Sequence, residues 1–535
     1  MALRRLSAYN SCMRIQRERI WALGLSAGAS LLTVVPYLLA NRAAAPNVFS
    51  GFLINPIDGF SYLAKMRQGA AGSWYFTLPY AAQAGEGVLL YLYYLLLGQL
   101  STLLHVSLLT MFHAARVLAS TFMFYLAYLF YDAILHRKSW AWAAFLITLL
   151  GSGLGWVGIL IGVEGSDLSI PESIPLISAY TNAHFPAAAA AILGAALACL
   201  RTQKRRGIEF LHGWIAGTVL VIVLPFCILS IGAALGLWLA YEVYTKRSFF
   251  RDQPSLIFQL PGLPGFFGFV VGTLPWLVYN VWLVQTHPVI AEWTAQNQTP
   301  SPAPLSYILG FGLLLVFVVA AFLKAFPFNG RETRFAAIWL ISNLILLYAP
   351  FPLQRRLSLG LFFPLTTLAV LGMAVSFKRS RIKFVVLAVI LLTLPSTVLI
   401  AAAGIFGVSE GEPEVVFNRD ELAALNWLGD NLPAGSLILA SPRDGNHIPA
   451  FTSGRVLYGH PFETPDAARM EMVVQSMFDP DLARDALLER LLTFDVDYVF
   501  EGPEERQLGD VAWEGLAETV YANETITIYQ VANDE

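Results

Sequence analysis

The chain has 535 residues, 56% of them hydrophobic and only 13% charged, where a soluble domain is roughly half apolar and about a quarter charged. That excludes a soluble globular enzyme, a disordered chain and a disulfide-rich secreted scaffold. The net charge of −3 hides two unlike parts: residues 1–409 hold 27 basic and 12 acidic side chains, and residues 410–535 hold 7 and 25. Such asymmetry points to two environments. The expected architecture is a polytopic α-helical membrane protein of about 11–12 transmembrane segments, with a small C-terminal extracytoplasmic α/β domain.

Residues 1–20 carry Arg4, Arg5, Arg14, Arg17 and Arg19 and read as a basic cytoplasmic N-terminus. The apolar run 21–40 is long for a signal sequence and reads as an uncleaved anchor. It opens a transmembrane domain over 21–405. Further runs lie near 86–104, 111–135, 140–161, 184–200, 207–224, 226–243, 262–284, 304–324, 335–349, 357–376 and 382–405. Basic clusters at 137–138, 201–206, 246–251, 324–334 and 378–383, with the N-terminus, hold 21 of the 27 basic residues before 410. Placing them all in the cytoplasm puts loops 41–85, 162–183, 285–303 and 350–356, and the tail, outside. An odd number of crossings must separate Ala40 from Arg137, so 86–104 is expected to lie along the outer face or dip into it. The runs 184–200 and 335–349 are short for spans. No internal repeat is visible.

Residues 406–417 read as a linker and 418–535 as a soluble acidic domain. In it, 418–429 reads as a capped amphipathic helix with Leu422, Leu425 and Leu428 on one face. Ser436–Ala440 and Val496–Phe500 read as buried strands, 467–478 and 480–492 as helices, and 520–531 as a hairpin. The negative charge argues against nucleic acid as a partner. No cysteine falls in this domain, and no Cys/His cluster suggests zinc.

The first outer loop holds the most chemistry. Asn55-Pro56 reads as a helix start, with Asp58 in the first turn. Asp58 is either a helix-dipole partner or a general base at the membrane surface. Lys65, Arg67, Trp74, Tyr75 and Tyr80 follow; the aromatics read as a sugar-stacking platform or an interfacial belt. Trp293 in the third loop has the same two readings. Arg355 and Arg356 sit outside, against the charge rule, and read as phosphate ligands or as snorkelling side chains. Arg116 reads as a weaker phosphate ligand or a buried partner for an acid or carbonyl. His184, at the start of a span, could cap it or orient a donor. Asp167 could join Asp58 around a divalent ion.

The order of anchor, acidic outer loop, Tyr-Leu-Ala-Lys-Met-Arg-Gln-Gly helix, Trp-Tyr-Phe stretch and Leu-Leu-Gly before Ala-Ala-Arg116-Val-Leu resembles the GT-C-fold glycosyltransferases. These include protein mannosyltransferase-like enzymes that take sugars from polyprenyl-phosphate carriers. The resemblance covers about residues 15–400. It implies Asp58 as the acidic catalytic residue. Many relatives carry two adjacent acids there, whereas this chain has Ile57-Asp58-Gly59. The paired arginines followed by Pro364-Leu365 resemble the late helix pair near the carrier phosphate. The implied activity is inverting transfer from a polyprenyl-phosphate-linked sugar to a glycan, lipid or protein acceptor at the outer face of a bacterial plasma membrane. A divalent metal could assist. The stretches Ile448–Thr464, with Arg455, His460 and Glu463, and Asp497–Arg506 resemble external tails that follow such cores; they read as turn-shaping or acceptor-binding. The competing functions are a lipid-linked glycan flippase, which would need charges along its spans, and a non-catalytic envelope-assembly protein that binds a partner through its tail.

Overall fold

The computed structural model of the chain describes residues 2–201 and 205–532. Lys204, within the expected basic cluster 201–206, lies outside the described residues. The chain divides into two compact units. One comprises Met1–Val35, Ala114–Val278 and Thr299–Ala402; the other comprises Pro36–His113, Tyr279–Gln298 and Ala403–Glu535. The first outer loop thus belongs with the C-terminal domain rather than with the membrane helices, where the expected boundary at 405 placed it.

The chain is a multi-pass membrane protein. Six helices among the described residues are long and apolar enough to span: Gln16–Ala43, Leu108–Ile134, Arg206–Val223, Pro225–Thr245, Leu263–Thr286 and Arg379–Glu410. The expected count of 11–12 exceeds this for physical reasons. The run 304–324 is not one rod: Pro304–Phe311 and Leu313–Ala325 meet at 90°. Gly312 turns the corner with φ +47, in a region open to glycine. The run 140–161 stops at Leu150, because Gly151, Ser152 and Gly153 break the helix. Lys138–Leu150, His184–Leu200 and Phe362–Ser376 are apolar but shorter. Leu92–Leu104 has 13 residues, about 20 Å of helix, less than the roughly 30 Å hydrocarbon core. That suits a segment lying on or dipping into one face.

The membrane-helical unit packs around a continuous apolar core including Phe130, Trp238, Phe335, Trp339 and Phe362. Small residues along His184–Leu200, five alanines in a row among them, let neighbouring helices approach closely.

In the second unit, five strands form a mixed sheet in the order β4-β3-β5-β7-β6. They are β3 (Leu437–Leu439), β4 (Arg455–Val456), β5 (Tyr498–Glu501), β6 (Ala517–Ala522) and β7 (Thr527–Val531). β3 runs parallel to β4 and β5, and β5, β7 and β6 pair antiparallel. The helix Arg419–Asn431 begins at Asn418, whose side chain accepts the Glu421 N–H at 2.6 Å, as its sequence predicts. Helices Ala467–Met477 and Arg484–Thr493 cover the sheet. The expected linker 406–417 is largely ordered structure. The last apolar helix runs on to Glu410, and β2 (Val416–Phe417) pairs antiparallel with β1 (Val48–Phe49) of the first outer loop.

Candidate active site around Asp58

The helix Pro56–Ala70 starts where the sequence predicts. Asn55 takes a left-handed turn and Pro56 occupies the first position. Asp58 lies in the first turn. Residue 59 must be glycine: a Cβ there would lie 2.5 Å from the Phe52 ring.

Asp58, Ser61 and Lys65 share one helix face, at spacings of three and four. That face meets the loop after β4. His460 Nε2 lies 3.3 Å from Asp58 Oδ1. Ser61 Oγ donates to Glu463 Oε1 at 2.7 Å. Lys65 Nζ donates to Glu463 Oε1 at 2.7 Å and to Oε2 at 2.8 Å, and it also contacts Ser61 Oγ. Lys65 is fully buried, with the Tyr91 ring 4.4 Å from its ammonium. Burial alone pushes the Glu463 carboxyl up, but the Lys65 ammonium outweighs it and holds Glu463 below the usual glutamate value. The Asp58 side chain keeps 37% of its surface exposed, whereas His460 keeps 2%. The pair therefore presents a reachable carboxylate backed by a buried imidazole.

Several residues expected to bind substrate instead tie the outer loop to the α/β domain. Lys65 is spent on Glu463. Arg67 Nε donates to the Ala450 carbonyl at 2.8 Å. Tyr80 is buried, not a sugar platform; its hydroxyl donates to the Asn446 carbonyl at 3.2 Å. Burial, then the nearby Glu463 and Asp58 charges, push its phenol well above the usual range. Trp74 and Tyr75 remain exposed. Trp293 packs edge-on to Tyr91, 6.1 Å between centroids, in a cluster with Phe76 and Leu95.

The other named residues lie in the membrane-helical unit. Arg116 is buried, and its Nη1 donates to Thr33 Oγ1 and to the carbonyls of Ala179 and Tyr180 at 2.6–3.1 Å. These are the carbonyl contacts that the second reading of Arg116 anticipates. His184 is the buried first residue of its helix, against Phe185. Arg355 and Arg356 share one 3₁₀ turn, Arg355–Ser358. The turn is anchored by the Arg355 N–H on the Thr299 carbonyl at 3.0 Å. The Arg355 Nε is buried without a hydrogen-bond partner among the described residues, and the Arg356 guanidinium lies 5.6 Å from the Phe226 ring centroid.

Asp167 is a buried clamp. Its Oδ2 accepts the N–H groups of Gly153 and Gly155 at 3.0 and 3.1 Å, and burial raises its carboxyl. Those bonds hold the Gly151–Leu154 helix break. A second cluster was not foreseen: Glu421, Asp444 and His447 bring ligand atoms within 4.8 Å of one another. The Arg443 guanidinium already fills it, with Nη1 3.0 Å from Glu421 Oε1 and 2.6 Å from Asp444 Oδ1. The donor set therefore fits a resident cation of the protein better than an added ion. Burial pushes Asp444 up to about 7 despite Arg443, and pushes His447 well down, with Arg443 adding to the effect. A cavity of about 190 Å³ opens beside it, lined by Pro56, Ile57, Arg443, Asn446, His447 and Tyr458 among others.

No family profile and no curated protein matches the sequence. Solved structures do. The chain is similar to ArnT from Cupriavidus metallidurans bound to undecaprenyl phosphate, with a TM-score of 0.51, 12% identity, and 94% of this chain and 98% of that one covered. It is also similar to the Archaeoglobus fulgidus oligosaccharyltransferase tethered with an acceptor peptide, with a TM-score of 0.51, 14% identity, and 90% and 69% covered. The fold is that of the GT-C membrane glycosyltransferases. At such identities the likeness concerns the fold, and the residues above must carry the chemistry.

Proposed function

We propose that this protein transfers a sugar from a polyprenyl-phosphate carrier to an acceptor hydroxyl or amide at the outer face of the plasma membrane, with its N-terminus in the cytoplasm and its α/β domain outside. The observation that carries the reading is Asp58: a half-exposed carboxylate at the start of the first outer-loop helix, in a chain that shares its fold along 94% of its length with a structure bound to undecaprenyl phosphate. Asp58 takes the acceptor proton as the acceptor attacks the anomeric carbon. The bond from that carbon to the carrier phosphate breaks on the opposite face, so the configuration inverts. The polyprenyl phosphate leaves as an anion. Arg355 and Arg356, adjacent in one turn, supply the planar donors that such a phosphate needs.

Mass spectrometry of lipids that co-purify with the full-length protein tests the reading. A polyprenyl phosphate is expected with the native protein and lost from the Arg355→Gln/Arg356→Gln variant. Carrier translocation in reconstituted vesicles, without sugar transfer, would instead support a flippase.

A further inference from the structure

We infer that His460, supplied by the C-terminal domain, is the positioning residue for Asp58: its Nε2–H holds Oδ1 and so fixes the orientation of the carboxylate. The inference rests on the reading of Asp58 as the base, and extends it to a named side chain of the C-terminal domain.

The protonation pattern of the ring follows from its neighbours. The Phe462 backbone N–H donates to His460 Nδ1 at 3.1 Å. Nδ1 is therefore the acceptor, and in the neutral ring the proton sits on Nε2. Nε2 is the atom 3.3 Å from Asp58 Oδ1. An N–H aimed at one carboxylate oxygen stabilises the charged form and fixes the carboxyl torsion, as second-shell partners do for other reactive groups.

The loop that carries His460 has little room to move. Thr464 Oγ1 accepts the N–H groups of Gly459 and His460 at 3.4 and 3.3 Å, and the Thr464 N–H returns to the His460 carbonyl at 2.9 Å. Gly445 and Gly459 let the helix Pro442–Phe451 press on this loop; a Cβ on Gly459 would lie 2.3 Å from the Gly445 carbonyl oxygen and 2.7 Å from Tyr80. Three residues further on, Glu463 locks the loop to Ser61 and Lys65. Tyr80 packs 5.7 Å from the imidazole. Within this unit, the charged and titratable groups around Asp58 among the described residues include His460, Glu463, Lys65, Tyr80 and Tyr94.

Carbodiimide labelling reads the inference without a substrate, because the reagent activates a protonated carboxyl. Full-length protein in nanodiscs is labelled at pH 6, and Asp58 is followed by peptide mass spectrometry against the half-exposed Asp466 in the same sample. In His460→Ala, Asp58 should label about tenfold faster, the worth of one lost hydrogen bond to a charged group. In His460→Gln, whose amide N–H can replace Nε2–H, the rate should return most of the way to the native one. Equal rates in His460→Ala and native protein would overturn the inference. So would a His460→Gln rate no slower than that of His460→Ala, which would make the ring a filler of space only. ¹⁵N-histidine spectra should show the Nε2–H form at His460; an Nδ1–H form would also overturn it. If Asp58→Asn abolishes transfer while labelling ignores His460, the base stands and its partner falls. If Asp58→Asn transfers normally, the base reading falls whatever the labelling shows.

Discussion

Both carboxylate oxygens of Glu463 lie within 2.8 Å of Lys65 Nζ, across 398 residues of sequence. The pair is buried, so it joins the outer-loop helix to the C-terminal domain where water does not screen it. Removing one partner leaves an uncompensated buried charge. Lys65→Met alone should cost about 3–5 kcal/mol, and Lys65→Met with Glu463→Leu should recover most of that. Thermal unfolding of the two variants beside the native protein measures the difference. Equal losses in both would place the stabilisation elsewhere.

The same helix depends on two glycines. A Cβ on Gly98 would lie 1.8 Å from the Met66 carbonyl oxygen, and one on Gly69 would lie 2.0 Å from that of Leu95. The helices Pro56–Ala70 and Leu92–Leu104 therefore touch backbone to backbone. Gly98→Ala should cost about 1–3 kcal/mol or more by overpacking and shift the helix that bears Asp58. Hydrogen exchange at residues 58–66 should speed up; unchanged protection would show that the contact is slack.

The acidic cluster makes stability fall as pH approaches neutrality. Asp444 is held near 7 in the fold, above the ordinary aspartate value, so its neutral form is the one the fold prefers. Its contribution is fully present below about pH 4 and is lost between there and about pH 7, at up to about 1.4 kcal/mol per pH unit. Glu463, held below the ordinary glutamate value, works in the opposite sense: its contribution is present at neutral pH and lost in acid. Asp444→Asn should flatten the fall in melting temperature between about pH 5 and 7. A native melting temperature that does not fall over that range would remove this account.

Asp58→Asn keeps the size and hydrogen-bonding shape of the side chain but cannot take a proton. It should lower transfer by at least about 100-fold, in the range expected for a lost general base, with an unchanged melting temperature. Incorporation of labelled sugar from total membrane lipid extract into endogenous acceptor is the measurement.

Much of the architecture was legible because composition reports burial and solvent directly. The switch at residue 410 from basic-rimmed apolar runs to acidic amphipathic ones marks the two environments, and Asn418, Leu425 and Leu428 mark a helix. The span count was less legible. Gly312 and the Gly151–Gly153 break lie inside apolar runs, and hydropathy does not register a 90° turn. Asp58 was visible as a lone acid in a polar loop. His460 and Glu463 were visible as part of an unusual stretch, but nothing local ties them to Asp58, Ser61 and Lys65. Pairing across 400 residues leaves no periodic trace. Tyr80 and Arg116 were hard to read for the same reason: their residue types suit sugars and phosphates, and only their surroundings show them holding carbonyls.

The pairing of Val48–Phe49 with Val416–Phe417 also bears on the order of assembly. During synthesis the first of these segments leaves the ribosome more than 360 residues before its mate. Until the C-terminal domain has been made, Lys65 lacks Glu463 and Asp58 lacks His460. A nascent chain therefore cannot complete this arrangement early. Under the proposed function, turnover must wait for the finished polypeptide, which would spare the carrier pool from half-made copies.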